Sequence, residues 1–181
     1  MANREALREL QTRLANRLQA ARSEGVQTSW LAVESAGSRY LFPLAQSGEI
    51  FPFASTQTVP YTQPWFLGVA NLRGGLYGVV DLAGFVGNRP ASARPDGSRA
   101  DSGRAEARLV ALGATLEVNC ALLVDKLTGL RNAEAFTSSS EPPAGSPEYF
   151  GSGFTDAGGA YWQEINLQAL SQQPQFLSIS A

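Results

Sequence analysis

Few side chains in this sequence could carry out acid–base, nucleophilic or metal chemistry. There is no histidine and one cysteine, Cys120, which excludes a zinc site of the usual Cys/His kind and a His-based triad within one chain. Cys120 falls on the apolar face of a predicted strand, so we expect a buried, inert thiol. Paired carboxylates can run hydrolysis without histidine. Glu49, Asp81 and Glu164 therefore make a small β-barrel hydrolase an alternative hypothesis, although Asp81 and Glu164 stand where strands end.

Arg73 lies in the most informative stretch of the chain. Two apolar runs, residues 65–72 and 76–82, flank Arg73-Gly74-Gly75. Short runs rich in Val, Tyr, Phe and Trp around paired glycines predict a β-hairpin, because glycine adopts the positive φ that a tight reversal needs. An arginine at the end of a buried strand needs a carboxylate or solvent. Glu49, in a preceding apolar segment, is the candidate partner.

The composition narrows the class of protein. The chain has 181 residues, which predicts one or two small domains. Its net charge of −2 gives no extended basic surface of the kind that binds nucleic acid. An RNA-binding barrel would need clustered basic and aromatic residues on one face, whereas the arginines lie mostly in the N-terminal segment and in one loop. No apolar run approaches ~20 residues, so we expect no transmembrane helix. The absence of an apolar signal region and the lone cysteine favour a cytoplasmic protein.

Local patterns predict many short strands. Leucines at helical spacing predict a helix over residues 2–24, whose stripe packs either on the same molecule or on a partner: Leu7, Leu10, Leu14 and Leu18. Polar, glycine- and proline-rich segments predict loops at 88–106 and 137–147. Two further hairpins are predicted, residues 30–33 with 40–44 and 108–112 with 115–123, followed by a short helix from 167 and an edge strand over 176–179. Such a series favours an antiparallel barrel or sandwich.

The stretch at residues 149–170 is a faint copy of the one at 65–82. Both have an aromatic entry, a Gly-Gly turn and an exit of Asp or Asn followed by Leu. This recurrence predicts two related hairpins in two similar half-domains. Asp156-Ala157 stands in the place of Leu72-Arg73, so the second copy lacks the arginine.

The central hairpin also resembles a known family. The order and spacing of Gly68-Val69-Ala70-Asn71-Leu72-Arg73-Gly74, followed by Val79-Val80-Asp81-Leu82, are similar to the signature of the CheW-like domain. The N-terminal extension resembles that of the CheW-like adaptors of type IV pilus (twitching) signalling systems. The sequence departs from the family pattern at Gly78, often proline in the family, and at Ser47 and Gly48, which replace apolar residues.

The resemblance implies an all-β fold with an N-terminal helical extension, in which two SH3-like five-stranded antiparallel β-barrels pack side by side. It divides the chain into a helix at 1–25, a CheW-like domain at 26–171 with loops at 88–107 and 137–148, and a tail at 172–181. It further implies that Glu49 pairs with Arg73. The partner-binding residues it indicates are Glu49, Gly68, Asn71, Arg73 and Gly74.

The function that the resemblance implies is that of a non-enzymatic adaptor with no cofactor or metal. Its partners would be the cytoplasmic signalling tip of a chemoreceptor and the regulatory domain of a CheA-type histidine kinase, with no nucleic acid and no insertion into the membrane. It would work in the cytoplasm at membrane-associated receptor arrays and control twitching motility.

Overall fold

The computed structural model describes residues 28–87 and 105–181. The helix predicted at 2–24 and most of the loop predicted at 88–106 lie outside these residues. The described strands are β1 Ser29–Ser35, β2 Ser38–Pro43, β3 Ser47–Pro52, β4 Phe66–Leu72, β5 Gly75–Asp81, β6 Arg108–Leu112, β7 Cys120–Val124, β8 Lys126–Asn132, β9 Phe136–Ser140, β10 Phe150–Asp156 and β11 Tyr161–Ile165. The described α-helices are α1 Leu82–Val86, α2 Leu167–Gln172 and α3 Pro174–Leu177. Within the described part of the chain, no helix has the length and apolarity to cross a bilayer.

The strands form two sheets, as the all-β prediction requires. One has six strands in the order β8-β1-β2-β11-β10-β9, and the other has five in the order β3-β6-β7-β5-β4. Neighbours are antiparallel except for one parallel pair in each sheet, β2 with β11 and β5 with β7. The first two strands therefore complete the sheet that the last strands build, and the intervening strands form the other sheet.

Each sheet curls into a barrel around its own apolar interior. In the five-stranded sheet, Phe51 on β3 lies 6.0 Å from the ring of Tyr77 on β5. The interior of the six-stranded sheet is aromatic, with Trp30 on β1 lying 4.9 Å from Phe154 on β10 and 5.9 Å from Phe136 on β9. The side-by-side pair of barrels is confirmed. One barrel has six strands where five were predicted, and each contains one parallel pair where purely antiparallel pairing was predicted.

A third apolar cluster joins the barrels, and strand β7, which contributes to it, is buried on both faces. On β7, Leu122 and Val124 contribute to this shared core, whereas Ala121 and Leu123 point into the five-stranded barrel. Every residue of β7 is buried, as its continuous apolar sequence predicts. Cys120 also belongs to the shared core, and burial raises the pKa of its thiol to about 12. The prediction of a buried thiol is confirmed, and at neutral pH the group is the un-ionised, unreactive form.

The predicted central hairpin is confirmed as β4–β5. Its loop has two residues, Arg73 and Gly74, both with positive φ (48° and 86°). The β1–β2 hairpin repeats this geometry with Ala36 and Gly37 (48° and 78°). Two consecutive left-handed residues form the turn whose twist matches that of antiparallel strands.

The hairpins β4–β5 and β10–β11 occupy corresponding places in the two sheets. In each, the second strand of the hairpin pairs in parallel with a strand of another hairpin. At the turn of β10–β11, the carboxylate of Asp156 braces the turn by hydrogen bonds. This carboxylate accepts hydrogen bonds from the backbone N–H groups of Gly158 and Ala160 and from the Trp162 indole, each at 2.9 Å.

Three sequence-based assignments are wrong in detail. The strand predicted at 115–123 begins only at Cys120, because the preceding residues form a 3₁₀ turn, Ala114–Leu116, and Glu117 is left-handed. The loop predicted from residue 137 begins with β9, whose polar Ser/Thr sequence suits an exposed edge strand held by backbone pairing to β10. The edge strand predicted at 176–179 is wrong, because its first half is the end of helix α3, which has Pro174 in its first turn and Phe176 buried against Trp65 and Phe85.

The Asp156 brace predicts a pH-dependent contribution to stability. The hydrogen bond from Trp162, followed by that from Ala160, holds the pKa of Asp156 below its ordinary value. A carboxyl whose pKa is lower in the folded state stabilises the fold above its unfolded pKa, and this stabilisation is lost as the pH falls through the folded pKa.

We expect Asp156→Asn to lower the free energy of unfolding at pH 7, and the difference from the unmodified chain to shrink below about pH 4. Urea unfolding followed by tryptophan fluorescence at pH 7 and pH 3 measures this difference. A difference that is the same at both pH values would contradict the assigned brace.

Candidate functional site

An ion pair between Glu49 and Arg73 joins the two edges of the five-stranded sheet. Glu49 lies on β3 and Arg73 in the β4–β5 turn, and β3 and β4 are the outer strands of that sheet. The Arg73 guanidinium contacts the Glu49 carboxylate. The pairing implied by the resemblance is confirmed, and it is possible only because the sheet curls until its edges meet.

Arg73 is more exposed than its place at a strand end suggests. Its side chain is 75% exposed and that of Glu49 is 46% exposed. The guanidinium carbon lies 5.8 Å from the centroid of the Phe51 ring, a cation–π contact that sets its orientation. An ion pair this exposed stabilises a fold by no more than about 1 kcal/mol. The ion pair therefore contributes little to the free energy of unfolding.

The backbone of Arg73 is also strained. Its φ of 48° is uncommon for a residue other than glycine, asparagine or aspartate, and such a conformation costs roughly 1 kcal/mol. A neighbouring side chain supports the turn: the side-chain oxygen Oδ1 of Asn71 accepts a hydrogen bond from the Gly74 backbone N–H at 2.9 Å. Asn71 and Gly74 thus shape the turn, while Arg73 projects from it.

Gly68 makes room for the loop that precedes β4. Gln57 and Val69 exchange two backbone hydrogen bonds, of 2.7 and 2.9 Å. A Cβ atom on Gly68 would lie 2.1 Å from the Gln57 carbonyl oxygen, and the φ of Gly68 is +124°. Only glycine permits this close approach, which covers part of the open edge of β4.

The structure thus brings all five predicted residues to one barrel but in two roles. Asn71, Gly74 and Gly68 fix the backbone, and Glu49 and Arg73 present charge to the outside. Two exposed apolar side chains lie close to the pair along the chain: Ile50 follows Glu49 on β3, and Leu76 is the second residue of β5, after the turn. We call Glu49, Ile50, Arg73 and Leu76 the seam patch.

Sequence reasoning missed two contributors to this site. Phe51 positions the guanidinium, and Gln57 fills the space above Gly68. The available signal for Phe51 was its closeness to Glu49 in the chain, two residues further on. No local pattern marks Gln57, because its pairing with Val69 is a long-range backbone contact.

The carboxylates of the hydrolase hypothesis occupy separate structural positions. Glu49 pairs with Arg73. Asp81 is buried and is the residue immediately before α1. Glu164, in the other sheet, accepts a hydrogen bond from the Trp30 indole at 2.8 Å and one from the Ser152 N–H at 3.3 Å. Among the residues that the structure describes, no group of His, Cys, Asp and Glu side chains is arranged to hold a metal ion.

Comparison with known protein families identifies the family of this chain. The model of the CheW-like domain matches residues 29–175, which include every described strand. The chain belongs to the CheW-like domain family. The two-barrel architecture and the seam patch are thus features of a CheW-like protein.

This CheW-like chain is similar to two known proteins, one by sequence and one by structure. It is 28% identical over 124 residues to Protein PilI of Pseudomonas aeruginosa, a match that covers 68% of this chain and 64% of PilI. The match therefore spans just under two thirds of that relative. The crystal structure of the scaffolding protein TtCheW from Thermoanaerobacter tengcongensis is similar with a TM-score of 0.58 at 18% identity, over 77% of this chain and 89% of that one. At that identity the likeness concerns the fold alone.

Substitution of Gly68 tests the close approach of the loop to β4. We expect Gly68→Ala to lower the free energy of unfolding by about 3 kcal/mol or more, since it adds a backbone clash to the strain of positive φ. Chemical denaturation measures the loss.

Gly159→Ala is the matched control. Gly159 also has positive φ (+79°), but a Cβ there would meet nothing within 4 Å, so we expect a loss of only about 1 kcal/mol. Equal losses in the two variants would show that Gln57 does not pack against Gly68 as described.

Proposed function

We propose that this CheW-like protein is an adaptor that couples the cytoplasmic signalling tip of a chemoreceptor to the regulatory domain of a CheA-type histidine kinase. It acts by holding these two proteins together and catalyses no reaction. Its place is the cytoplasmic face of the membrane, in receptor arrays, and the output it serves is twitching motility driven by type IV pili. The similarity to PilI supports the last point.

The observation that carries this proposal is the exposed, strained Arg73 in its pair with Glu49. The pair stabilises the fold by about 1 kcal/mol at most, yet the turn accepts a left-handed arginine where glycine or asparagine would cost less. Strain held without a gain in stability is characteristic of functional positions. Contact with another protein is the role that explains an arginine at this turn.

The seam patch has the chemistry of a protein interface. Leu76, 64% exposed, and Ile50 supply apolar area, and Glu49 and Arg73, which are near them in the chain, provide charges of both signs. An apolar centre with a polar margin is the usual anatomy of such sites, and the charges fix the register of the partner. A helix of the receptor tip that presents an apolar stripe flanked by charged residues fits this patch.

Charge reversal at the pair separates a binding role from a structural one. We expect Glu49→Arg and Arg73→Glu each to change the free energy of unfolding by no more than about 1 kcal/mol and to weaken co-purification with the receptor cytoplasmic domain by about tenfold. The measurements are chemical denaturation and quantitative pull-down with the purified receptor fragment, repeated with the C-terminal region of the kinase.

The double variant Glu49→Arg/Arg73→Glu restores an ion pair in which the two charges have exchanged positions. Recovery of binding would mean that the pair acts by fixing the local surface, and continued loss would mean that the individual charges touch the partner. Lys126→Gln serves as the control, because Lys126 forms a comparably exposed pair with Glu106 at 3.7 Å. Unmodified chain that binds neither protein at tens of micromolar would refute the proposed function.

Complementation in the source organism tests the pilus assignment. Deletion of the gene should abolish twitching, and the unmodified gene should restore it, whereas the Arg73→Glu gene should not. Normal twitching in the deletion strain would remove the link to pili while leaving the adaptor role open to the binding measurements.

A further inference from the structure

The six-stranded barrel carries a cavity of about 470 Å³ that shares no residue with the seam patch. Its walls come from the β1–β2 turn and β2, from β10 and β11, from the loop that precedes β10, and from the end of α1. The residues that determine its chemistry are Arg39, Tyr40, Pro143, Pro147, Phe150 and Tyr161. Sites that take a ligand or one large side chain with its neighbours are commonly of this size.

Most of the cavity wall is apolar. Tyr40 is buried, and Phe150 is half-buried and makes an edge-to-face contact with Tyr149 at 5.3 Å. Pro143 and Pro147 are exposed, and proline loses little conformational freedom when it is covered by a partner. Aromatic and proline surfaces of this kind favour an inserted aromatic or branched aliphatic side chain.

The polar groups of the β11 wall are bonded to one another. The Tyr161 hydroxyl donates to the Gln163 side-chain oxygen at 2.9 Å, and the Gln163 amide donates to the backbone oxygens of Gly151 and Glu164. They therefore contribute shape more than hydrogen-bonding capacity. Selectivity for charge has to come from elsewhere in the wall.

Among the described residues that line the cavity, Arg39 is the charged one and none is a carboxylate. Its Nε group lies 3.5 Å from Glu34, a loose and exposed pair, and its guanidinium carbon lies 5.9 Å from the centroid of the Trp162 ring. These contacts hold the side chain in place and leave its terminal N–H groups for a second carboxylate, since a guanidinium has five donors in a fixed fork.

We infer that this cavity is a docking site for an acidic segment of a partner protein. The segment inserts an aromatic or branched aliphatic side chain against Phe150 and the two prolines, and it pairs a neighbouring carboxylate with Arg39. The inference rests on the proposed function in one respect, that the partner is a protein. It adds a second site on the other barrel, so that two partners can be bound at once.

Short peptides test the chemistry of the site without either signalling partner. The probes are the capped tripeptides acetyl-Asp-Phe-Asp-amide and acetyl-Lys-Phe-Lys-amide, titrated into the ¹⁵N-labelled full chain and followed by amide chemical shifts. We expect the acidic peptide to shift the amides of Gly37 and Ser38 and to bind about fivefold more tightly than the basic one, as a single exposed ion pair predicts. Raising the salt concentration should reduce the difference.

Two variants localise the effect. Arg39→Gln should remove the preference for the acidic peptide while the spectrum keeps the dispersion of a folded chain. Arg73→Gln, in the seam patch, should leave peptide binding unchanged. Because the probes are not the receptor or the kinase, failure here is distinct from failure of the proposed adaptor role.

Three results would overturn the inference. Equal affinity for the acidic and basic peptides would remove the role of Arg39, and shifts confined to the seam patch would relocate the site. Shifts of the Gly37 and Ser38 amides that follow the concentration of the chain alone and disappear in Tyr61→Ala would assign the cavity to a second copy. Tyr61 is the test for that occupant because its side chain is a large apolar group that is 91% exposed.

Discussion

The fold depends on the apolar core that the two barrels share. Strands β1 and β7 each place alternate side chains in this core and in the interior of their own barrel. Both faces of these strands are therefore removed from water, and neither barrel can be taken away without exposing the other. The remaining strands are arranged around this pair, and they carry the turns and edges on which the surface sites lie.

The path of the chain follows from the same constraint. It leaves the six-stranded sheet after β2 and returns after β7, at Asp125, whose carboxylate accepts a hydrogen bond from the Ala36 N–H in the β1–β2 turn at 2.7 Å. A second hydrogen bond lies where the chain passes from β2 to the five-stranded sheet. There the Gln46 side chain accepts a hydrogen bond from the first N–H of α2 at 2.7 Å. The relative position of the barrels, and so the spacing of anything bound to them, is set by the packed core and these ties.

The turns of the two corresponding hairpins do different things. In β10–β11 the Asp156 carboxylate accepts hydrogen bonds from its own turn, so it adds to stability. In β4–β5 the charge of Arg73 is directed outward, adds little to stability and requires a strained backbone. The asymmetry divides the molecule into a barrel whose turn supports structure and a barrel whose turn presents an exposed charge.

The sequence by itself determined the family, the β-rich architecture, the central hairpin and the inert cysteine. These follow from local properties: apolar alternation, glycine at a reversal, and the order of residues in one motif. It also placed Gly68, Asn71, Arg73 and Gly74 close together, because they are neighbours in the chain.

Only the tertiary structure decided that Gln57 packs over Gly68 and that the first two strands complete the barrel of the last ones. It also showed how the predicted partners Glu49 and Arg73 meet, from opposite edges of one sheet. The polar strand β9 and the helix α3 were likewise missed. The reason is physical: edge strands and strand order depend on backbone hydrogen bonds between distant segments, and these leave no periodic pattern of side chains. The curvature that brings two sheet edges together is a property of the closed barrel and of no single segment.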